Sequence, residues 1–305
     1  MVSIRLFVSL FPCLVLALAC AGAAHAQQPP GTLAKVARDG YITLGVREGS
    51  IPFSYLDDKG RFIGYSVDLC MKIVEEVKRR VNKPVEVRMT PVSASNRIPL
   101  MANGTIDLEC GSTTNNAERA RQVAFSPTIF VIANRLLTRK AANIRTLADM
   151  KGKTLVATAG TTTLKQMTAL NRERNLGMRI VIGKDHPESF LMLETNRANA
   201  EANDDILLAA QVAGSKQPAD YVIGTEALSL EPYGIMLRRG DPAFKEAVDA
   251  AIRAAFASPD FPKLYAKWFT SAIPPKGINL NVPMSPQLQK VVANPTDSPD
   301  PAAYR

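Results

Sequence analysis

Residues 106–119 read IDLECGSTTNNAER, and residues 154–175 read TLVATAGTTTLKQMTALNRERN. The two stretches share one order of parts: an apolar run, a glycine followed by hydroxyl residues, then a polar segment with helical character. Each predicts a strand, a Gly-Ser/Thr loop and a helix, the first helix from Asn115 and the second over Leu164 to Asn175. A loop of this kind at a helix N-terminus offers free backbone N–H groups and hydroxyls to an anion. Neither carries the Gly-Lys-[Ser/Thr] of a nucleotide P-loop, so phosphate transfer has no support. Ser and Thr before a helix also serve as ordinary caps. A matched pair facing one cleft is the more specific reading.

Outward from these loops the chain alternates strand and helix patterns. Tyr41 to Val46 (YITLGV) predicts a strand. Ser66 then opens a helix with Val67, Cys70, Met71, Val74, Val77 and Val81 at helical spacing. Asp68 near its start and Lys78 to Arg80 near its end suit the helix dipole. Val85 to Met89 predicts a strand, Asn96 to Ala102 a short helix and Ile106 to Glu109 a third strand. The second unit follows with Thr154 to Ala157, Met178 to Ile182, a helix after Pro187 and Tyr221 to Ile223. Such alternation predicts α/β layers around a mainly parallel sheet. Ile129 to Leu137 and Tyr233 to Leu237 flank the second unit and predict two strands crossing between lobes. Asp241 to Phe269 reads as helical and returning to the first lobe, and Pro274-Pro275 as the start of a tail of low regularity. The expected division is residues 31–133 and 232–305 for one lobe and 134–231 for the other.

The chain has 305 residues and a formal net charge of +9. Arg5, the apolar run Leu6 to Ala21 and Ala24-His25-Ala26 have the form of a secretory signal peptide, residues 1–26. The apolar core is shorter than the ~20 residues of a spanning helix. Lipid attachment at Cys20 is the alternative to cleavage after Ala26. The basic residues are scattered and the longest run is Lys78-Arg79-Arg80, unlike the clustered surface of a nucleic-acid binder. A positive balance does concentrate anionic solutes. Beyond the leader, Cys70 and Cys110 remain, and export places them where a disulfide persists; spacing leaves the pairing open. With His186 they are too few for an ordinary zinc site, and no cofactor is expected.

The chemistry gathers in the loops. Arg47 follows the first strand, Arg97 lies in Ser95-Asn96-Arg97-Ile98-Pro99, and Arg119 follows Ser112-Thr113-Thr114. Guanidinium suits bidentate carboxylate recognition. Asp204 and Asp205 supply an acid for an ammonium, or alternatively cap the helix that follows. His186, in the loop-like Lys184-Asp185-His186-Pro187, is either a surface histidine or a donor to a ligand carboxylate. No Gly-x-Ser-x-Gly and no paired nucleophile and base is present. A dehydratase on the same scaffold would need a placed general acid or base, with only His186 or Glu201 on offer.

Arg47-Glu48-x-Ser50-x-Pro52-Phe53-Ser54-Tyr55, Gly64-Tyr65-Ser66, Asn96-Arg97-Ile98-Pro99-Leu100, the 109–119 string and Lys184-Asp185-His186 resemble periplasmic glutamate/aspartate-binding proteins of ABC importers. The resemblance runs to Trp268-Phe269 and Ile273-Pro274-Pro275-Lys276. It implies the type II periplasmic-binding-protein fold, in which two α/β lobes are joined by a two-strand hinge and close on the ligand. It implies a periplasmic monomer that takes an acidic amino acid and meets membrane permease subunits. Carried over residue by residue, it puts Arg47, Arg97 and His186 around the side-chain carboxylate. Arg119, Ser112, Thr114 and Thr162 fall on the α-carboxylate side, and Asp204 near the ammonium. A neutral or cationic amino acid is the alternative ligand. Two departures stand out. Ala94 occupies the place of a ligand-holding Ser, and Asn199-Ala200-Glu201-Ala202-Asn203 replaces an apolar strand. Glu201 and Asn203 are unusual in a buried parallel strand, where near-continuous apolar runs are expected.

Overall fold

The computed structural model describes residues 2–3 and 31–305. The predicted leader, its cleavage after Ala26 and the alternative lipidation at Cys20 lie outside the described residues.

Two sheets organise the chain. The first has the strand order Glu86–Pro91, Tyr41–Val46, Leu108–Glu109, Met236–Arg238 and Val123–Phe125. The strands flanking Tyr41–Val46 run parallel to it, and Met236–Arg238 runs antiparallel to both of its neighbours. The second sheet has the order Arg179–Gly183, Thr154–Thr158, Ala200–Asp204, Phe130–Arg139 and Tyr221–Ile223. Ala200–Asp204 is parallel to Thr154–Thr158 and antiparallel to Phe130–Arg139. Each sheet with its helices forms one α/β lobe, as the alternation predicted, but neither sheet is mainly parallel: both are mixed, because the strands that pass between the lobes and Met236–Arg238 pair antiparallel.

The helix Tyr65–Val81 shows how pattern becomes packing. Val67, Cys70, Ile73, Val74 and Val77 are buried, Asp68 occupies its first turn and Lys78, Arg79 and Arg80 its last. It ends at Asn82 in the left-handed region, φ 50°, which Asn tolerates better than other side chains. Its inner face packs on the helix Pro242–Ala257, so the late helical segment does return to the first lobe. Cys70 is joined to Cys110 by a disulfide, Cα–Cα 6.1 Å, which ties this helix to the strand end that leads into the Ser112–Thr114 loop.

The chain passes between lobes along Phe130–Arg139 and back along Ser229–Tyr233, earlier than the expected Tyr233 to Leu237, paired antiparallel with Tyr233 opposite Phe130 and Glu231 opposite Ile132. Both crossings are rooted in an aromatic cluster of the first lobe. Phe53 lies 5.2 Å edge-on from Phe130 and from Tyr233, and Phe130 stacks on Phe269 at 4.8 Å. Aromatic contacts of this geometry add ~0.5–1.5 kcal/mol each beyond area burial.

Three local expectations are corrected. No α-helix starts at Asn115; Thr114 is instead bridged to Tyr233, a turn follows, and only the 3₁₀ segment Arg119–Arg121 is helical. The third strand of the first unit is shorter than expected, Leu108–Glu109. The segment after Pro274 is not irregular. Ala272–Ile273 and Ile278–Asn279 pair, Pro286–Ala293 is a helix with Leu288 and Val291 buried, and Tyr304 is buried with its hydroxyl on Thr128 at 2.8 Å. The Thr296 carbonyl accepts from Thr128 N–H at 2.8 Å and the Asp297 carbonyl from Asn115 Nδ2 at 2.8 Å. Prolines hid this segment because they interrupt periodicity while starting helices well at their first position.

Candidate functional site

Arg47 directly follows the strand Tyr41–Val46, Arg97 opens the helix Arg97–Ala102, and Arg119 opens the 3₁₀ turn. All three are buried, at 4%, 2% and 7% exposure. Arg97 Nη1 donates to the Ser112 carbonyl at 3.1 Å and to Thr113 Oγ1, and stands 3.8 Å from Glu109 Oε1. Arg119 Nη1 donates to the Thr114 carbonyl at 3.0 Å, and its Nη2 to the Gly160 carbonyl at 3.2 Å. Arg47 Nη1, Arg97 Nε and Ser112 Oγ are buried with no hydrogen-bond partner among the described residues.

The electrostatics follow from that crowding. Burial and then the neighbouring Arg97 push the Arg47 guanidinium down to about 10, and the same two causes push Arg119 to about 10. Burial, Arg47 and Arg97 hold His186 well below the usual imidazole value, so the ring is neutral. Buried cations with donors left over are costly unless an anion compensates them. Glu109 offsets part of that charge, and the leftover donors of Arg47 and Arg97 suit a further anion.

The second lobe supplies the facing wall. Thr161 caps the helix Thr162–Glu173, accepting from Leu164 N–H at 3.1 Å. His186 is not in a loop: it is the first residue of the helix His186–Glu194, capped by Asp185. Buried, it lines a cavity of about 550 Å³ together with Arg47 and Ser95. Asp204 ends the strand Ala200–Asp204 and accepts from the Tyr233 hydroxyl. Burial and then Glu231 raise its carboxyl to about 7.

Arg47 and His186 thus line one cavity, with Arg97 close enough to depress both, while Arg119, Thr114 and Thr162 line a second cavity of about 620 Å³; Arg97, Ser112 and Asp204 line neither. Asp204 lies beside Thr163 and Tyr233. Only the second lobe presents a helix N-terminus at its hydroxyl loop. Thr114 and Thr162 both spend their hydroxyls on Glu231 Oε2, at 2.7 and 2.8 Å, so one carboxylate joins the two lobes. Asn134 and Ser229 donate to its other oxygen at 2.8 and 2.9 Å. Sequence reasoning missed Glu231, since a single acid in Ser229–Tyr233 (SLEPY) has no spacing to mark it. The lobes meet closely: a Cβ on Gly160 would lie 2.6 Å from Ser95 N, and one on Gly49 2.6 Å from Pro187 Cγ.

Glu201 and Asn203 form part of a fully buried strand. Ala200 and Ala202 enter the second lobe's core, while Glu201 and Asn203 turn to the other face. Glu201 is held by Asn203 and Gln211 at 3.1 Å each rather than lining the cleft. Among the described residues no group of three His, Cys, Asp or Glu is placed to hold a metal, and no helix is long and apolar enough to cross a membrane.

The family model described as bacterial extracellular solute-binding proteins, family 3, matches residues 42–271. The chain belongs to that family. This family 3 binding protein is 50% identical over 295 residues to an L-glutamate/L-aspartate-binding protein of Pseudomonas aeruginosa, covering 96% of this chain and 98% of that one. It is 46% identical over 267 residues to a glutamate/aspartate import solute-binding protein of Escherichia coli, covering 87% and 88%. Among solved structures, a cysteine-binding protein from Campylobacter jejuni aligns with TM-score 0.69 at 28% identity, covering 78% of this chain and 93% of that one. An ancestral arginine-binding protein bound to arginine aligns with TM-score 0.67 at 27% identity, covering 75% and 98%. The two-lobed α/β fold is therefore that of a solute-binding protein rather than an enzyme.

Proposed function

We propose that this protein is exported by its residues 1–26, captures L-glutamate or L-aspartate between its lobes and delivers it to the membrane subunits of an ABC importer. The observation that carries the reading is the convergence of three buried guanidinia, of which Arg47 and Arg97 each keep a buried nitrogen with no partner among the described residues. Arg47, Arg97 and neutral His186 receive the side-chain carboxylate. Arg119, Ser112, Thr114 and Thr162 receive the α-carboxylate, the two threonines through their backbone N–H groups, since their hydroxyl protons go to Glu231. Asp204 meets the ammonium.

Residues 31–133 and 232–305 form one lobe and 134–231 the other, in a monomer that works from the periplasm. A ligand touching both lobes favours the closed form, because only there are both sets of contacts made. The backbone change falls on the crossings near Ile132 to Arg135 and Leu230 to Gly234, a few residues absorbing it as hinges do. Native mass spectrometry of gently purified protein tests the reading. Adduct masses of glutamate or aspartate support it, and an adduct of a neutral or cationic amino acid replaces it.

A further inference from the structure

Asn203 stands behind His186, and its amide has only one orientation. Its Oδ1 accepts from the Asp204 N–H at 2.9 Å, which leaves Nδ2 facing His186 Nδ1 at 3.1 Å and Glu201 Oε1 at 3.1 Å. An amide nitrogen has two protons and no lone pair to offer, so it gives one to each. Glu201 is held in turn by Gln211 Nε2 at 3.1 Å, which also donates to the His186 carbonyl at 3.0 Å. Glu201 Oε2 and Gln211 Oε1 are both buried without a partner. Burial pushes the Glu201 carboxyl up to about 8, so it carries a proton at neutral pH.

The ring's other contact, Thr158 Oγ1, lies 3.2 Å from the same Nδ1. Thr158 is also 2.7 Å from Ser189 Oγ, and Ser189 Oγ is 3.0 Å from the Asp185 carbonyl. Such a hydroxyl chain runs either way, giving a proton to Nδ1 or taking one from it. The Asn203 amide cannot reverse. We propose that Asn203 is a positioning residue that holds neutral His186 as the Nε2–H tautomer, so that the ring donates a hydrogen bond into the cavity it shares with Arg47. The inference rests on the reading that the cleft takes an acidic amino acid, whose carboxylate needs donors. With Asn203 replaced by an apolar residue, the Thr158–Ser189–Asp185 chain accepts the Nδ1 proton. Nε2 then presents a lone pair to the carboxylate.

The test is the ¹⁵N spectrum of the imidazole in the full chain carrying His25→Gln, which leaves His186 as the sole histidine. The wild-type ring is expected to show a protonated Nε2 and a bare Nδ1. Asn203→Met is expected to reverse them. It should also weaken glutamate binding by about tenfold or more, the loss of one charge-assisted hydrogen bond, and weaken glutamine binding less, since an amide can donate to a bare Nε2. A wild-type ring protonated at Nδ1, or a folded Asn203→Met that keeps Nε2–H, overturns the proposal. If that variant does not fold, the wild-type spectrum alone decides. A ring with Nε2–H in a protein that gives no heat with glutamate or aspartate overturns the ligand reading and not the tautomer.

Discussion

Arg119 reaches across the cleft to Gly160: its Nη2 donates to the Gly160 carbonyl at 3.2 Å while Nη1 holds the Thr114 carbonyl at 3.0 Å. One side chain therefore touches both lobes and both hydroxyl loops. Truncating one partner of a buried, hydrogen-bonded charge pair costs roughly 2–5 kcal/mol. Arg119→Ala is expected to weaken glutamate binding by about 30-fold or more, and Arg119→Lys to fall between, having the charge without the fork. Titration calorimetry on the variants checks this; an unchanged Kd for Arg119→Ala would remove Arg119 from the site.

Gly160 carries the second prediction. Its φ is +73° and a Cβ there would lie 2.6 Å from Ser95 N, a backbone atom that cannot swing away. Gly160→Ala should hold the lobes apart, weaken binding and abolish the decrease in radius of gyration that wild-type protein shows in small-angle scattering on adding glutamate. Equal compaction in the variant would mean that the lobes close without this contact.

Asp204 gives a proton-linked prediction. Its carboxyl is raised to about 7, first by burial and then by Glu231, so it is mostly protonated at pH 6. A ligand ammonium beside it favours the charged form and lowers that pKa. Binding at pH 6 should release protons, and affinity should rise between pH 5 and 7. Calorimetry in buffers of different ionisation enthalpy reads the release directly, and Asp204→Asn should abolish it. Proton uptake would place the ammonium elsewhere.

Glu201 bears on stability. Its carboxyl has an ordinary value of 4.5 and is raised to about 8 by burial. Between those values the folded protein keeps a proton that the unfolded chain has lost, so stability falls as pH rises, by up to about 1.4 kcal/mol per pH unit. Asp204 acts with the same sign up to about 7. His186, lowered by burial, acts oppositely below its ordinary value of 6.5. The clean window is pH 7–8, where urea unfolding should show falling stability that Glu201→Gln flattens. A wild-type curve that is level across this window would contradict the buried, protonated carboxyl.

The parts legible in the sequence were those with a period or a motif. Val67, Cys70, Val74 and Val77 announced a helix face, and the two glycine-hydroxyl loops announced one strand end in each lobe. Arg97 and His186 could be picked out as loop candidates, but a lone Arg or His carries no spacing, so their roles at a carboxylate came only with the resemblance. Glu231 stayed hidden because its four donors come from Thr114, Asn134, Thr162 and Ser229, which are scattered along the chain and meet only in the folded state. The helix expected after Thr114 failed because that segment pairs with Tyr233 instead, a tertiary contact that overrides local propensity. Glu201 and Asn203 looked misplaced in sequence, because their partners Gln211 and His186 lie on two helices that the pattern could not bring together.

The central claim, that the buried arginine cluster selects an acidic amino acid, is tested most directly by titration calorimetry on protein stripped of ligand by unfolding and refolding. L-glutamate and L-aspartate should bind with a single site per chain, and L-glutamine more weakly by at least tenfold, since it lacks the second carboxylate that Arg47 and Arg97 compensate. L-arginine should give no heat. Tight binding of L-arginine, or equal affinity for glutamine and glutamate, would contradict the account.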